Sequence, residues 1–242
     1  MNLTAEIQKL QNYLKVKDYK AVVYGCKKLI NKFPKNPFLF NLLALALHGN
    51  GNYLIAIDNF KKALDLDPNF LPAKNNLANS YKAIGNFEKA EFYYKNILEI
   101  KPNYIHALNN YANLKTLIFD YYSAIELYNK ALKVNENDTT ILFSLANAYH
   151  AIGEIQKTKE IVKKILKLNP KHVSVHKLLS SIIDYSKDQA NLNEMEDIIS
   201  EKDLSNGQIV DLSFALGKAY EDLKKFEKSF LYLEKANKIK KK

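Results

Sequence analysis

Arginine is absent from the sequence, so all 36 of its basic residues are lysine. Against 26 acidic residues they give a formal net charge of +10 at pH 7, a balance that can indicate nucleic-acid binding. However, the planar fork of arginine is the group that usually reads guanine edges and clamps phosphate. We therefore attribute the charge to a coding bias toward lysine, asparagine and isoleucine, and we predict no specific nucleic-acid partner. Salt-dependent docking to RNA or an acidic membrane stays an alternative.

Cysteine occurs once, at Cys26, which excludes an intrachain disulfide and a cysteine-based metal cluster. Because Cys26 occupies an apolar position of the pattern described below, a buried and unreactive thiol is favoured over a reactive one. Among the five histidines, His172 and His176 are closely spaced, but they straddle a predicted boundary between a loop and a helix. A zinc site needs about four converging ligands, so we predict no metal and no cofactor.

Residue patterns typical of catalysis or of membranes are missing too. The sequence has no Ser/His/Asp arrangement, glycine-rich phosphate loop or evident pair of carboxylates, so we predict that the chain is not an enzyme. No run of 18 apolar residues occurs, and no membrane-spanning helix is predicted. The start of the chain lacks the apolar segment of a signal peptide. These absences predict a cytoplasmic protein.

Glycine and proline are scarce, with seven and six residues, and most of them recur at a fixed spacing. Their positions differ by multiples of 34, at Pro34, Pro68, Pro102 and Pro170 and at Gly51, Gly85 and Gly153. The stretch Leu71–Tyr104 shows the unit between them, which is two short amphipathic helices joined by a Gly-Asn turn and ended by Lys-Pro-Asn. A period of 34 with helix–turn–helix content is typical of a repeat array.

Seven windows of this period account for almost all of the 242 residues, so we predict a single array over 1–242. The predicted repeats are 3–36, 37–70, 71–104, 105–138, 139–172, 173–209 and 210–242. The sixth is irregular because it lacks the turn glycine, and a shortened second helix is expected over Asn191–Ile199. In the fourth repeat, Phe119 replaces the turn glycine.

Small and polar residues have defined tasks within each repeat. Ala44 and Ala56 are short enough to let the two helices of their pair approach closely, and a bulkier residue at either site would overpack the contact. Asp18 and Asn52 stand where they can cap second helices with their side chains. The pattern therefore predicts both the pairing of the helices and the places where they begin.

Leucine-alanine, glycine-asparagine, alanine, aromatic and proline markers recur in phase, as in Leu77-Ala78, Gly85-Asn86, Ala90, Tyr94 and Pro102. They resemble the tetratricopeptide repeat family over essentially the whole chain. The resemblance implies an all-α, right-handed α-solenoid superhelix of about seven helix–turn–helix repeats. It also implies that the first helix of each repeat lines a concave groove for a peptide or protein segment, in a non-catalytic interaction scaffold.

The last repeat carries a second resemblance. Phe214–Lys242 looks like the final repeat of bacterial tetratricopeptide–sulfotransferase fusion proteins, in which a catalytic domain follows. Because this chain has no phosphosulfate-binding loop, the resemblance implies an alternative function as a substrate-presenting region whose catalytic domain lies outside it. The array ends without an extra solvating helix, so self-association or a further domain is also expected at the C-terminal repeat.

After each first helix uses its Leu/Ala/Tyr face for packing, a second face at helical spacing remains for the groove. The predicted groove residues are Asn41, Asn75, Asn76, Asn79, Lys82, His106, Asn109, Asn110, Asn113, Phe143, Asn147 and His150. Side-chain amides carry donors and an acceptor, so a row of them can pair with the backbone of an extended peptide whatever its sequence.

Two interpretations of these asparagines stay open. Asn76, Asn79, Asn110, Asn113 and Asn147 resemble the asparagine ladder of O-linked N-acetylglucosamine transferase, which implies ligand binding. Alternatively, the amides bond only to neighbouring groups within the array, because buried amides normally have a partner. A clamp for an acidic C-terminus at Lys82 is a weaker alternative, since the arginine of such clamps is missing.

Overall fold

A computed structural model describes residues 2–189 and 191–241 of the chain. Over these residues it contains fourteen α-helices and no strand, which confirms the predicted all-α class. The helices belong to two compact units, unit 1 (Met1–Ile118) and unit 2 (Phe119–Lys242). No described helix combines the length and the apolar character that a bilayer crossing requires. The organisation as a single array over 1–242 stays a prediction.

Unit 1 alternates first and second helices. It consists of α1 (Leu3–Lys15), α2 (Tyr19–Lys32), α3 (Pro37–Gly49), α4 (Tyr53–Leu66), α5 (Leu71–Ala83), α6 (Phe87–Ile100) and α7 (Ile105–Leu117). Each first helix has 13 residues and each second helix 14. Successive first helices begin at Leu3, Pro37, Leu71 and Ile105, so the period of the sequence is the period of the helices.

Unit 2 begins with a second helix and contains the irregular part of the chain. It consists of α8 (Tyr121–Val134), α9 (Thr139–Ala151), α10 (Ile155–Leu168), α11 (Val173–Ile182), α12 (Leu192–Ile199), α13 (Asn206–Asp222) and α14 (Phe226–Lys240). Helices α11 and α12 have only 10 and 8 residues. The shortened second helix expected in the sixth repeat is therefore confirmed.

The turns that follow α1, α3, α5, α7 and α9 each hold one residue at positive φ. Gly51, Gly85 and Gly153 have φ angles of 81°, 77° and 79°, a region that a Cβ atom makes unfavourable. Lys17 and Phe119 take the place of the glycine in other repeats, and both have a φ of 61°. The flanking helices thus impose the same turn whichever residue occupies it.

Capping of the second helices follows the prediction in one case and departs from it in another. The Asp18 side chain accepts a hydrogen bond from the Ala21 backbone N–H at 3.0 Å, as expected. Asn52 stands at the start of α4, but its side chain makes no capping bond. Its backbone carbonyl instead accepts from the N–H of Ala56 at 3.0 Å, so the expected side-chain cap at Asn52 was wrong.

Fully buried alanines bring paired helices together in unit 1. Ala44 on α3 and Ala56 on α4 have no exposed surface, and Ala78 on α5 and Ala90 on α6 repeat the arrangement. Larger side chains that are fully buried fill the space around these contacts: Leu39, Phe60, Leu77, Tyr94 and Ile97. The burial of these alanines is what their predicted packing role requires, and the role itself stays a prediction.

The single cysteine lies in the core of unit 1. Cys26 and Val22 have no exposed surface, and Leu29 is also buried, as the pattern predicts. Burial raises the pKa of the Cys26 thiol to about 12, so its reactive thiolate form is scarce at neutral pH.

Overpacking at an alanine contact tests this architecture. Ala78→Leu should lower the free energy of unfolding by about 1–3 kcal/mol, because the site is fully buried and extra methyl groups overpack a well-packed core. The measurement is urea unfolding followed by circular dichroism. Ala83→Leu, an exposed site on the same helix, should change stability by less than about 0.5 kcal/mol. Equal effects at the two sites would contradict a close contact at Ala78.

A second test concerns the turns. Gly85→Ala should lower the free energy of unfolding by about 1 kcal/mol, because the residue has a φ of 77° that an L-residue adopts only with strain. A Cβ atom there would meet nothing within 4 Å, so the loss reports on the backbone alone. Gly207→Ala, at an equally open site in the first turn of α13, should leave stability unchanged or higher. Thermal unfolding of both variants is the measurement, and a neutral Gly85→Ala would overturn the role of positive φ.

Candidate functional site

Asparagine pairs join neighbouring first helices in unit 1. Asn76 Nδ2 donates to Asn41 Oδ1, and Asn110 Nδ2 donates to Asn75 Oδ1, both at 3.2 Å. Asn41 and Asn75 are 4% and 6% exposed, so these two predicted groove residues lie beneath the surface, where a ligand does not reach them. Asn76 and Asn110 are half-buried, and each amide has a second N–H and an oxygen beyond this bond.

Asn109 holds on α7 the repeat position that Asn41 and Asn75 hold on α3 and α5. Its Oδ1 is buried and accepts no hydrogen bond from the described residues. In the adjacent pairs Asn75-Asn76 and Asn109-Asn110, the two side chains point about 100° apart, as consecutive residues of a helix do. The first asparagine of each pair therefore points toward the contact between helices, and the second points toward the surface. For the first asparagines, the contacts favour the structural interpretation over the ligand-binding one.

Asn79 is fixed by a network that runs from α5 to α7. Tyr94 Oη donates to Asn79 Oδ1 at 2.5 Å, and the Tyr94 and Tyr111 rings stack with centroids 5.8 Å apart. Tyr111 Oη donates to Glu91 Oε1 at 2.7 Å, and Lys115 Nζ lies 3.2 Å from Glu91 Oε2. Because Asn79 Oδ1 accepts from Tyr94, the orientation of the amide is set and Nδ2 is the atom that can donate to a ligand.

Two groups of this network, Glu91 and Tyr94, have shifted pKa values. Burial acts to raise the pKa of Glu91, but hydrogen bonds from Lys95, Tyr111 and Lys115 outweigh it and lower the pKa to about 2. Burial raises the pKa of Tyr94, so its hydroxyl remains a donor to Asn79. The network is therefore a rigid support for the amide above it.

His48 and Lys82 hold equivalent positions on α3 and α5. His48 Nδ1 lies 2.9 Å from Ser80 Oγ. Burial lowers the pKa of Lys82, and burial together with the charge of Lys82 lowers the pKa of His48. His48 is therefore neutral near pH 7, and Lys82 presents an ammonium group that is partly removed from water. An acidic group of a ligand would compensate this loss of hydration.

The remaining predicted residues of unit 1 lie on α7. His106 is exposed and its ring packs edge-on against Tyr104, with centroids 5.5 Å apart. Asn113 is half-buried one turn beyond Asn110. We call the accessible set the unit 1 amide surface: Asn76, Asn79, Lys82, His106, Asn110 and Asn113.

The predicted residues of unit 2 meet at a depression of about 480 Å³. Phe143, Asn147 and His150 of α9 form one side of it. Helices α11 and α13 contribute residues that sequence reasoning missed, namely Ser174, Lys177, Leu178, Ser181 and Asp211. Lys177 and Asp211 follow Phe143 at one and two repeat periods, so the period itself was the signal that could have found them.

Polar groups in the unit 2 depression are paired in part. Asn147 Nδ2 donates to the Phe143 carbonyl oxygen at 2.9 Å, although the Asn147 side chain is exposed. Lys177 Nζ lies 2.6 Å from Asp211 Oδ1, and the Phe143 ring lies 5.3 Å from the ring of His172. The depression thus offers an aromatic wall, an accessible amide and an ion pair.

No three His, Cys, Asp or Glu side chains within 2–189 and 191–241 converge as metal ligands. His172 stands at the start of α11, and His176 is buried inside that helix with Nε2 2.7 Å from the Pro170 carbonyl oxygen. As predicted, His172 and His176 lie on either side of the boundary between a loop and a helix, and the ring of His176 is hydrogen-bonded to the backbone.

Comparison with known proteins identifies the fold. A tetratricopeptide repeat model matches residues 47–116 and 119–182, and a second tetratricopeptide repeat model matches residues 210–242. No curated protein matches the chain. The predicted likeness of the last repeat to sulfotransferase fusions is not shown by these comparisons.

Solved structures resemble the chain over most of its length. A tetratricopeptide repeat protein from Parabacteroides merdae is 20% identical with a TM-score of 0.67, over 98% of this chain and 92% of that one. PilF of Pseudomonas aeruginosa is 18% identical with a TM-score of 0.67, over 84% and 96%. YrrB, a TPR protein with an unusual peptide-binding site, is 14% identical with a TM-score of 0.56, over 85% and 96%. At these identities the likeness shows the fold, which is that of a repeat solenoid.

The network around Glu91 predicts how the free energy of unfolding depends on pH. Glu91→Gln should lower the free energy of unfolding at pH 7 by about 1–2 kcal/mol. Because the pKa of Glu91 is lowered in the folded state, its ionised carboxylate stabilises that state at every pH above the ordinary pKa of glutamate. This contribution to stability is lost as the pH falls through about 2. The stability difference between wild type and variant should therefore be constant above about pH 5 and shrink toward pH 2.

Urea unfolding at a series of pH values measures this difference. Glu88→Gln, at an exposed site on the same helix, is the control and should change stability by less than about 0.5 kcal/mol. A Glu91→Gln effect that stays the same from pH 7 to pH 2 would contradict the assignment.

Proposed function

Because the chain belongs to the tetratricopeptide repeat family, we propose that it is a non-catalytic scaffold for protein–protein interaction. Its ligand is an extended peptide or protein segment that lies in the groove lined by first helices. One observation carries the proposal: Asn76 and Asn110 are half-buried amides that each bond inward through a single N–H.

The inward bonds prepare these amides for a ligand. A side chain already held in one rotamer loses little conformational entropy on binding, which raises affinity. The second N–H and the oxygen of each amide match the C=O and N–H groups of an extended backbone. Asn79, oriented by Tyr94, adds a donor of the same kind. The amides of Asn76 and Asn110 thus combine a structural role with a ligand-binding role, and different atoms of each amide serve the two roles.

Charge favours an acidic ligand. Lys82 is a partly dehydrated cation on the unit 1 amide surface, and a carboxylate beside it would restore favourable interactions. The net charge of +10 would also speed association with an acidic segment. A peptide with acidic residues therefore fits this surface better than a neutral or basic one.

In unit 2 the depression beside Phe143 suits an anchoring side chain. Its aromatic wall and its volume of about 480 Å³ can take one apolar residue, while Asn147 and His150 can bond to the neighbouring backbone. YrrB, which shares the fold, has a peptide-binding site, and this supports the same use here.

Selection of peptides from a random phage-displayed library, with the whole chain as bait, tests the proposal. The selected peptides should be enriched in acidic residues, and fluorescence anisotropy measures the affinity of one of them. Asn110→Ala should weaken binding about fivefold, because one hydrogen bond to the peptide is lost. It should also lower stability by about 1 kcal/mol, since Asn75 Oδ1 loses its donor.

The control is Asn31→Ala, which removes an exposed asparagine from the second helix α2 and should change neither quantity. Lowered stability with unchanged peptide affinity in Asn110→Ala would reject the ligand-binding role. Equal binding of any polyanion, lost in parallel as salt rises, would favour electrostatic docking over peptide recognition.

A further inference from the structure

The last helix of unit 2 exposes three large apolar side chains. Phe226 and Phe230 of α14 are both 65% exposed, and Leu231 is 62% exposed. They lie on the outward side of the helix, because Ser229 and Ala236 on its other side are buried. We call Phe226, Phe230 and Leu231 the α14 patch. A contiguous apolar patch of this kind is typical of a contact with another protein.

The repeat period shows that Phe230 holds a packing position. Phe230 directly follows Ser229, which takes the place of Ala56 in a second helix. The position of Phe230 is apolar in three other repeats, where it is buried or half-buried: Val23, Ile57 and Ile125. Their helices α2, α4 and α8 each pack against the first helix that follows, α3, α5 and α9. The α14 patch therefore presents a surface suited to packing against another helix.

Charged residues beside the α14 patch are ordered by sign. Glu227 and Glu234 precede Lys238 and Lys241 at intervals that place all four on one side of the helix. Glu234 and Lys238 already form an ion pair within α14, at 2.9 Å. In a parallel pair of α14 helices, like charges would face each other. In an antiparallel pair, the acidic half of each helix faces the basic half of the other, so the pattern complements itself.

A head-to-tail contact would instead place the α14 patch on helix α1 of another copy. On α3, one face packs in a cluster with residues of α2: Leu39, Leu42 and Ala46. The residues one period earlier on α1 are all exposed: Ala5, Gln8 and Asn12. Two of these three carry amides, and burying amides against phenylalanine is unfavourable. The two helices therefore do not match, and α14 fits a second α14 better.

The area of the α14 patch limits the strength of such a contact. Each of its side chains exposes about 100 Å², so two copies together bury about 600 Å² through these residues. A specific interface buries at least about 1,200 Å² in total, and the charged residues beside the patch can add a polar rim. We therefore expect a dimer that dissociates on dilution.

We propose that two copies of this chain form a two-fold symmetric dimer in which the α14 helices pack antiparallel through the α14 patch. Phe230 and Leu231 lie close to the two-fold axis, and Glu227 faces Lys238 of the second copy. Because the same surface of both copies is used, the contact is closed and assembly stops at two chains.

Sedimentation equilibrium of the whole chain, over about a hundredfold range of protein concentration, tests the proposal. The measured mass should rise from the 27.8 kDa of one chain toward twice that value and no further.

A pair of variants locates the interface. Phe230→Glu should weaken dimerisation about tenfold or more, because it removes an apolar contact and brings two like charges close to the axis. Phe92→Glu is the matched control, at a site on the second helix α6 that is 64% exposed, and it should leave dimerisation unchanged. Since both sites are exposed, circular dichroism should show the helix content and melting temperature of wild type for both variants.

Charge reversal tests the antiparallel arrangement. Glu227→Lys and Lys238→Glu should each weaken the dimer about tenfold, because positions 227 and 238 then carry the same charge and face each other twice. An equal mixture of the two variants should regain the affinity of wild type, since each contact between positions 227 and 238 of the mixed dimer joins opposite charges.

A chain that stays monomeric at every concentration overturns the proposal and assigns the α14 patch to a different partner. A dimer that Phe230→Glu leaves intact overturns it too, because the interface then lies elsewhere. Growth beyond two chains would indicate head-to-tail stacking. A mixture of the charge variants that associates as weakly as either variant alone would contradict the antiparallel arrangement.

Discussion

The close approach of two helices within each repeat is the constraint on which the rest of the structure depends. Alanine provides it at Ala44 and Ala56, both fully buried. At the same position Thr158 is also fully buried, and its Oγ1 donates to the Glu154 carbonyl oxygen at 3.0 Å. A hydroxyl is tolerated because it is small and finds a backbone acceptor. The contact between the helices therefore requires a small side chain, and that side chain can be polar where a hydrogen-bond acceptor is close enough.

The final helix pair shows the same constraint in its strictest form. Gly217 takes the place of alanine on α13, and a Cβ atom there would lie 2.6 Å from a methyl group of Leu233. Opposite it, Ser229 Oγ donates to the Gly217 carbonyl oxygen at 2.8 Å. Because the packing face of each helix is fixed in this way, the orientation of its other faces is fixed too. This is why asparagines one repeat period apart share one geometry.

The sequence was sufficient for the features that repeat and insufficient for those that depend on single contacts. Helix bounds, the turn at Phe119 and the short α12 follow from local rules applied in phase. Which asparagine of a neighbouring pair is buried does not, since Asn75 and Asn76 are adjacent in sequence and only the crossing of the helices sends one inward. The missing side-chain cap at Asn52 likewise depends on atomic positions that no residue pattern encodes.

Regular and irregular repeats provide a buried amide with different partners. Asn41 and Asn191 are 4% and 2% exposed, so both have lost most of their contact with water. Asn41 recovers a hydrogen bond from the equivalent helix of the next repeat, because periodic packing brings a donor to it. Asn191 lies where the period is broken, and its side chain interacts instead with the Tyr185 side chain of the same repeat. A buried amide of this chain therefore finds its partner in the next repeat where the period holds, and within its own repeat where the period is broken.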